Sequence, residues 1–137
     1  MKVLVIYTSH FAYVPRIKNI EGIPDVTESE SFDECLVAFI QIEQEDEAKD
    51  VLSREKKLVN HLKWSLRKNN CNKIILHSFA HLSDSKASLD FTKSIFDQAE
   101  IRLKNAGIYT AQTPFGYFLD LDIKAPGFSL ARIWATL

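Results

Sequence analysis

Several things are scarce in this chain, and each scarcity closes off a class of protein. Two cysteines, Cys35 and Cys71, supply neither a disulfide framework nor the paired spacing of a metal site. Free thiols of this kind read as reduced and point to the cytoplasm. Only four glycines and four prolines occur in 137 residues, and no low-complexity tract, internal repeat or domain linker is visible. No stretch approaches the roughly 20 apolar residues of a membrane span. The apolar start, Met1 to Tyr7, halts at Thr8-Ser9-His10. That is short of the roughly 7–15 residues of a signal-peptide core, and no cleavage site follows it. An excess of charge is also missing, because 17 basic and 18 acidic residues leave a formal net charge of −1. Any contact with nucleic acid must then come from a local patch or pocket, not from the field of the whole molecule.

What is present suits one globular α/β domain spanning residues 1–137. Hydrophobic residues make up 46% and charged residues 26%, enough to bury a core without disorder. Val3 to Tyr7 is a continuous apolar run of the kind buried on both faces of a sheet. Residues 12–31, with Pro15, Gly22 and Pro24, read as loop with at most a short edge strand near Tyr13-Val14. Cys35 to Ile42 predicts a second buried strand, ending in the acidic segment Glu43 to Asp50. From Val51 to Lys68 the period turns helical: Leu58, Leu62 and Leu66 share a face that Leu52, Val59 and Trp64 widen. Lys73 to Phe79 predicts a third strand. A second helix is expected to open near Ser85, with Leu89, Ile95, Phe96, Ala99 and Leu103 facing the core and Gly107 as its left-handed exit. Beyond Ile108 two strands and a short terminal element, which could be helical, complete a mixed sheet with two main helices.

The segment Phe79-Ala80-His81-Leu82-Ser83 falls where a strand ends and a helix approaches, the usual ligand position in α/β sheets. An imidazole there can bind a substrate or exchange a proton; equally, His81 can serve only to hydrogen-bond its own turn. His77 and His81 lie four apart, but on a strand running into a loop, with no further ligands to complete a metal shell. No metal or cofactor is expected. Cys35 lies in an apolar strand and Cys71 between asparagines, both read as structural. Lys56, Lys57, Lys63, Arg67, Lys68 and Lys73 make the first helix and its exit basic, either a solvated face or a phosphate-contacting stripe. In Pro114-Phe115-Gly116-Tyr117-Phe118, Tyr117 or Phe118 can stack on a base or pack in the core.

Four dispersed segments together resemble the N-terminal editing domain of archaeal threonyl-tRNA synthetases, whose fold is shared with D-aminoacyl-tRNA deacylases. They are Met1-Lys2-Val3-Leu4-Val5-Ile6, Glu34 to Ile40, Phe79 to Ser83, and Pro114-Phe115-Gly116-Tyr117. They occur in the family's order and with similar separations. The resemblance implies removal of serine wrongly esterified to the threonine tRNA. One missing methyl discriminates by only about 1–3 kcal/mol, so a second hydrolytic site raises fidelity.

The resemblance further implies a positioned water as the nucleophile. Ile40, Gln41, Ile42, Phe79 and Ala80 would line the pocket for the terminal adenosine and its aminoacyl group, with His81 beside the substrate. The implied partners are the tRNA 3′ end, a synthetase in cis or in trans, and a second copy in a homodimer, with no membrane. Two positions depart from the family pattern: Leu119 stands where the family has a lysine, and Arg132 where it has a glutamate. Arg132 could return a positive charge from another direction. A catalytically silent relative that binds the aminoacyl-adenosine end, or a D-aminoacyl-tRNA deacylase, are the alternatives.

Overall fold

The computed structural model describes all residues 1–137. In chain order the elements are β1 (Lys2–Lys18), β2 (Glu30–Gln41), α1 (Val51–Lys68), β3 (Lys73–Ser78), α2 (Leu89–Asn105), β4 (Tyr109–Gln112), β5 (Tyr117–Lys124) and β6 (Arg132–Thr136). Single 3₁₀ turns occupy Gln44–Ala48 and Ser129–Ala131. The six strands form one mixed sheet in the order β4-β3-β2-β1-β5, with β6 also on β1. Strands β2, β3 and β4 run parallel, while β1 runs antiparallel to all its neighbours. The expected mixed α/β architecture with two helices is what forms.

The helices cover one face. Val3 and Val5 of β1, Leu36, Ala38 and Ile40 of β2, and Ile74 and Leu76 of β3 pack there against Leu58, Leu62 and Leu66 of α1 and Ile95, Phe96 and Leu103 of α2. Strand alternation sends Cys35, Val37, Phe39 and Ile75 to the other face, where they meet Phe11 and Tyr13. That second cluster lies beneath Phe79, Leu82 and Leu119. Burying apolar area on both sides explains why β2 and β3 read as continuous hydrophobic runs. Under the end of the sheet a buried ionic group ties the start of the chain to α1. The Met1 ammonium lies 2.7 Å from Glu43 Oε1 and 3.0 Å from Asp46 Oδ2, and Arg54 Nη2 lies 2.7 Å from Asp46 Oδ1.

Four sequence-based expectations are corrected. Residues 12–18 and 30–31 are strand, not loop, because β1 continues for 17 residues. Its last pair with β2 is Tyr13↔Glu30. Pro15 therefore sits where β1 has a neighbour on one side only, and a bulge between Pro15 and Ile17 absorbs it. The terminal element is the strand β6, whose buried Ile133 alternates with exposed Arg132 and Trp134. Leu52, Trp64 and Leu89 are not core residues; they are 54%, 39% and 53% exposed. They stand on the outer flanks of their helices, beyond the stripe that meets the sheet. Helix α2 is capped by Ser88, which accepts from Phe91 N, not near Ser85. The 83–85 segment is held instead by contacts to β2.

Candidate functional site

The site begins with one residue at the end of β2. Gln41 is 3% exposed, and its amide is saturated by the loop that follows β3. Its Oε1 accepts from Leu82 N at 2.7 Å and Ser83 N at 2.8 Å, while Nε2 donates to Ser83 O at 2.8 Å and Ser85 O at 2.9 Å. Two further contacts hold the same loop: Ser83 Oγ donates to Glu43 Oε2 at 2.7 Å, and Gln44 N donates to Ser85 Oγ at 3.0 Å. Burial pushes the Glu43 carboxyl up, but hydrogen bonds from the Met1 ammonium and Ser83 outweigh it and hold the group below the ordinary glutamate value. A loop this tightly tied presents its neighbours at fixed positions.

Beside it opens a cleft of about 420 Å³ at the carboxyl end of β3. Ser78, Phe79, Ala80 and His81 form its floor, Pro114 to Leu119 its far wall, and Asn19-Ile20, Lys86 and Leu89 its rim. A smaller recess of about 80 Å³ joins it, reaching Ile40, Gln41 and Ile42 and sharing Ala80, Lys86 and Phe115. A larger hollow of about 560 Å³ runs along β4. Its charges, Glu100 and Lys104, are already bonded to each other at 2.6 Å, so it offers no free chemistry.

The wall owes its shape to a glycine. Gly116 has φ +82°, and a Cβ there would fall 2.5 Å from Ile23 Cδ1 and 3.1 Å from Ile20 Cβ. Only glycine meets both conditions. Its carbonyl accepts from Asn19 N at 2.8 Å. Tyr117 extends the same tie, its hydroxyl accepting from Val26 N at 2.8 Å and donating to Pro24 O at 3.3 Å. Phe118 is 53% exposed and leaves its ring free at the mouth.

A chain of aromatic edges places the histidines. Phe39 meets His77 at 5.2 Å and Phe79 at 5.1 Å, and Phe79 meets His81 at 5.0 Å, all edge to face. His77 is buried, with Nδ1 2.8 Å from Thr113 Oγ1. Burial lowers its pKa to about 4, so it is neutral at pH 7. His81 is exposed at the cleft.

The sequence-predicted residues are therefore divided. Phe79, Ala80, His81, Tyr117 and Phe118 meet in the cleft, and Ile40, Gln41 and Ile42 lie behind it in the recess. The Gln41 side chain shapes the site but has no hydrogen-bonding capacity left for a ligand. Arg132 is outside the lining; it stands opposite Ile6 on β6 and donates from Nη1 to Pro126 O at 2.6 Å. Leu119 lines the cleft and packs on the apolar cluster. The cysteines lie elsewhere: burial raises the Cys35 thiol, and Cys71 contacts Lys73 O.

Lys86 is a candidate residue that the sequence reading passed over. It borders both the cleft and the recess and takes part in none of the ion pairs, and no carboxylate lines the cleft. The available signal was its place just beyond the Ser83-Asp84-Ser85 loop. The arrangement is a largely apolar and aromatic surface with no acid, one cation, one exposed imidazole and one exposed ring. It can hold a nucleoside and polarise one carbonyl or phosphoryl oxygen.

Comparison with known proteins agrees in extent. The chain is 27% identical over 140 residues to a threonine–tRNA ligase of Thermofilum pendens, covering 100% of this chain and 22% of the ligase. It is 30% identical to the ligases named the same way from Thermococcus gammatolerans, over 142 residues, and Methanosphaera stadtmanae, over 139 residues, with the same two coverages. The chain thus spans about a fifth of the length of these relatives. The family model of the archaea-specific editing domain of threonyl-tRNA synthetase matches residues 1–137 from end to end, and the chain belongs to that family.

Proposed function

We propose that this chain hydrolyses the aminoacyl ester at the 3′ end of a mischarged tRNA, with seryl-tRNA for threonine as its substrate. The observation that carries the reading is the 420 Å³ cleft, lined by aromatic and aliphatic residues with His81 and Lys86 and no acid, in a chain matched over its whole length by an editing-domain family. Phe118 stacks on the terminal adenine, and the recess bounded by Ala80 takes the small aminoacyl group. A water attacks the ester carbonyl, the carbon–oxygen bond to the ribose breaks, and the departing ribose oxygen gains a proton while the amino acid leaves as a free acid. His81, at the floor, orients the water. Lys86 meets the charge that grows on the carbonyl oxygen, the role for which Leu119 has no donor.

The reading places the protein in translational proofreading in the cytoplasm, acting on tRNA beside or within a threonyl-tRNA synthetase, and as a homodimer. Leu119 and the distant Arg132 favour the rival reading, a silent relative that binds the aminoacyl-adenosine end without turnover. Incubation with seryl- and threonyl-tRNA for threonine, and with a D-aminoacyl-tRNA in parallel, separates the two. Selective loss of the seryl ester is expected. Lys86→Met should slow it by about ten- to a hundredfold, since a donor at an exposed rim contributes less than an enclosed one, and Arg132→Ala should leave it unchanged. Binding without ester loss supports the silent relative; faster loss of the D-aminoacyl ester supports the sister activity.

A further inference from the structure

The outward face of α1 concentrates charge that no other part of the molecule neutralises. Lys56, Lys57, Lys63, Arg67 and Lys68 all lie on this helix. At 3.6 residues per turn Lys56, Lys63 and Arg67 form one row, and Lys57, Trp64 and Lys68 a second beside it. The rows run for about 18 Å at 1.5 Å per residue. None of the five cations belongs to any of the ion pairs. The only acid within α1, Glu55, is fully buried and paired with Arg102 at 2.5 Å. The contrast with α2 is sharp, for there Lys93 and Lys104 are each bonded to an acid one turn away, Asp97 and Glu100. A chain of net charge −1 thus keeps a row of free positive charge on one helix.

We infer that this face of α1 docks the sugar-phosphate backbone of a double-helical RNA stem. The identity of the RNA, an acceptor arm whose end enters the cleft, rests on the function proposed above; the binding itself does not. Two parallel rows of cations match regularly spaced phosphates. Unpaired bases are a poorer fit, because the one aromatic ring on this face is occupied. Lys68 Nζ lies 5.7 Å over the Trp64 ring, and His61 stacks on it at 6.0 Å and 22°. A membrane surface is also a poorer fit, since the apolar stripe that would insert, Leu58, Leu62 and Leu66, is spent in the core. A groove of about 510 Å³ beside the rows, lined by Lys63, Arg67, Asn70 and Asn72 among others, gives the backbone a place to settle.

The test is the salt dependence of binding, followed by fluorescence anisotropy with a labelled RNA hairpin whose stem is longer than the roughly 18 Å rows. The parent should bind with a steep slope of log affinity against log salt. Lys56→Gln/Lys63→Gln/Arg67→Gln should flatten that slope by about 3 and weaken low-salt binding at least tenfold. Lys93→Gln/Lys104→Gln, where both cations are already paired, should change neither. If the triple variant fails to melt cooperatively, Lys56→Gln and Arg67→Gln singly should each flatten the slope by about 1. Unchanged slopes in these variants overturn the inference, as does a parent that prefers single-stranded RNA or anionic vesicles to the hairpin. Turnover of a short stemless aminoacyl ester reports on the cleft alone. Absence of turnover for both this ester and full seryl-tRNA, with hairpin binding intact, sinks the hydrolase reading and leaves the docking surface standing.

Discussion

Replacing Gln41 by leucine tests whether one side chain organises the site. Leucine has nearly the same volume and the position is 3% exposed, so packing survives while four hydrogen bonds of 2.7–2.9 Å disappear. Each ordinary hydrogen bond contributes about 0.5–1.5 kcal/mol net. Water can reach part of the loop and replace some of them, so the expected loss is about 2–4 kcal/mol. That is less than the stability of a typical domain, so the variant still folds. Urea titration should show a lower midpoint with an unchanged slope. Hydrogen exchange should quicken at the Leu82 and Ser83 amides, while the amides of α1 follow only the global change. If the loop positions His81 and Lys86, kcat for ester hydrolysis should fall about tenfold or more, beyond any effect of stability. Equal exchange rates at Leu82 and Ser83 in the two proteins would refute the clasp. Quickened exchange at those two amides with an unaltered kcat would refute its link to the site.

Acid should weaken the protein before its carboxylates titrate. Burial holds the folded pKa of His77 at about 4 against the ordinary 6.5, and lowers His61 in the same direction. Between those values the unfolded chain binds more protons, so stability is full above pH 6.5 and declines as pH falls toward 4, by about 3 kcal/mol for His77. Urea midpoints measured across that window should flatten in His77→Leu, and a pH-independent parent would contradict the buried neutral imidazole. Arg54→Met should cost about 3–5 kcal/mol, because it leaves Asp46 buried beside one cation fewer. A change under about 1 kcal/mol in chemical denaturation would show that the ionic group is not coupled to folding.

Much of this fold was legible because its periods are clean. The four-residue spacing of Leu58, Leu62 and Leu66 marks α1, and the apolar runs of β2 and β3 mark strands buried on both faces. The second half of β1 was not legible, because its alternation breaks. Val3 and Val5 face the helices, whereas Phe11 and Tyr13, also odd-numbered, face the other cluster. Its partner strand has a left-handed residue, Glu34 at φ +50°, at the level of the change. A shift of phase plus Pro15 looks like a loop from sequence. In the site, local motifs such as Phe79 to His81 were visible, being contiguous. The clasp by Gln41 joins residues 41 and 83, and the absence of Arg132 from the cleft follows from strand pairing. Neither is encoded in spacing along the chain.

The two sides of the cleft are anchored unequally. Its floor extends from β3, which has a strand on either side, whereas the wall carrying Tyr117 and Phe118 belongs to β5, held in the sheet through β1 alone. A guest pressing the two apart meets a stiff base and a compliant flap. Admission and release should therefore be accommodated by outward swing of the flap, with the helix layer left at rest.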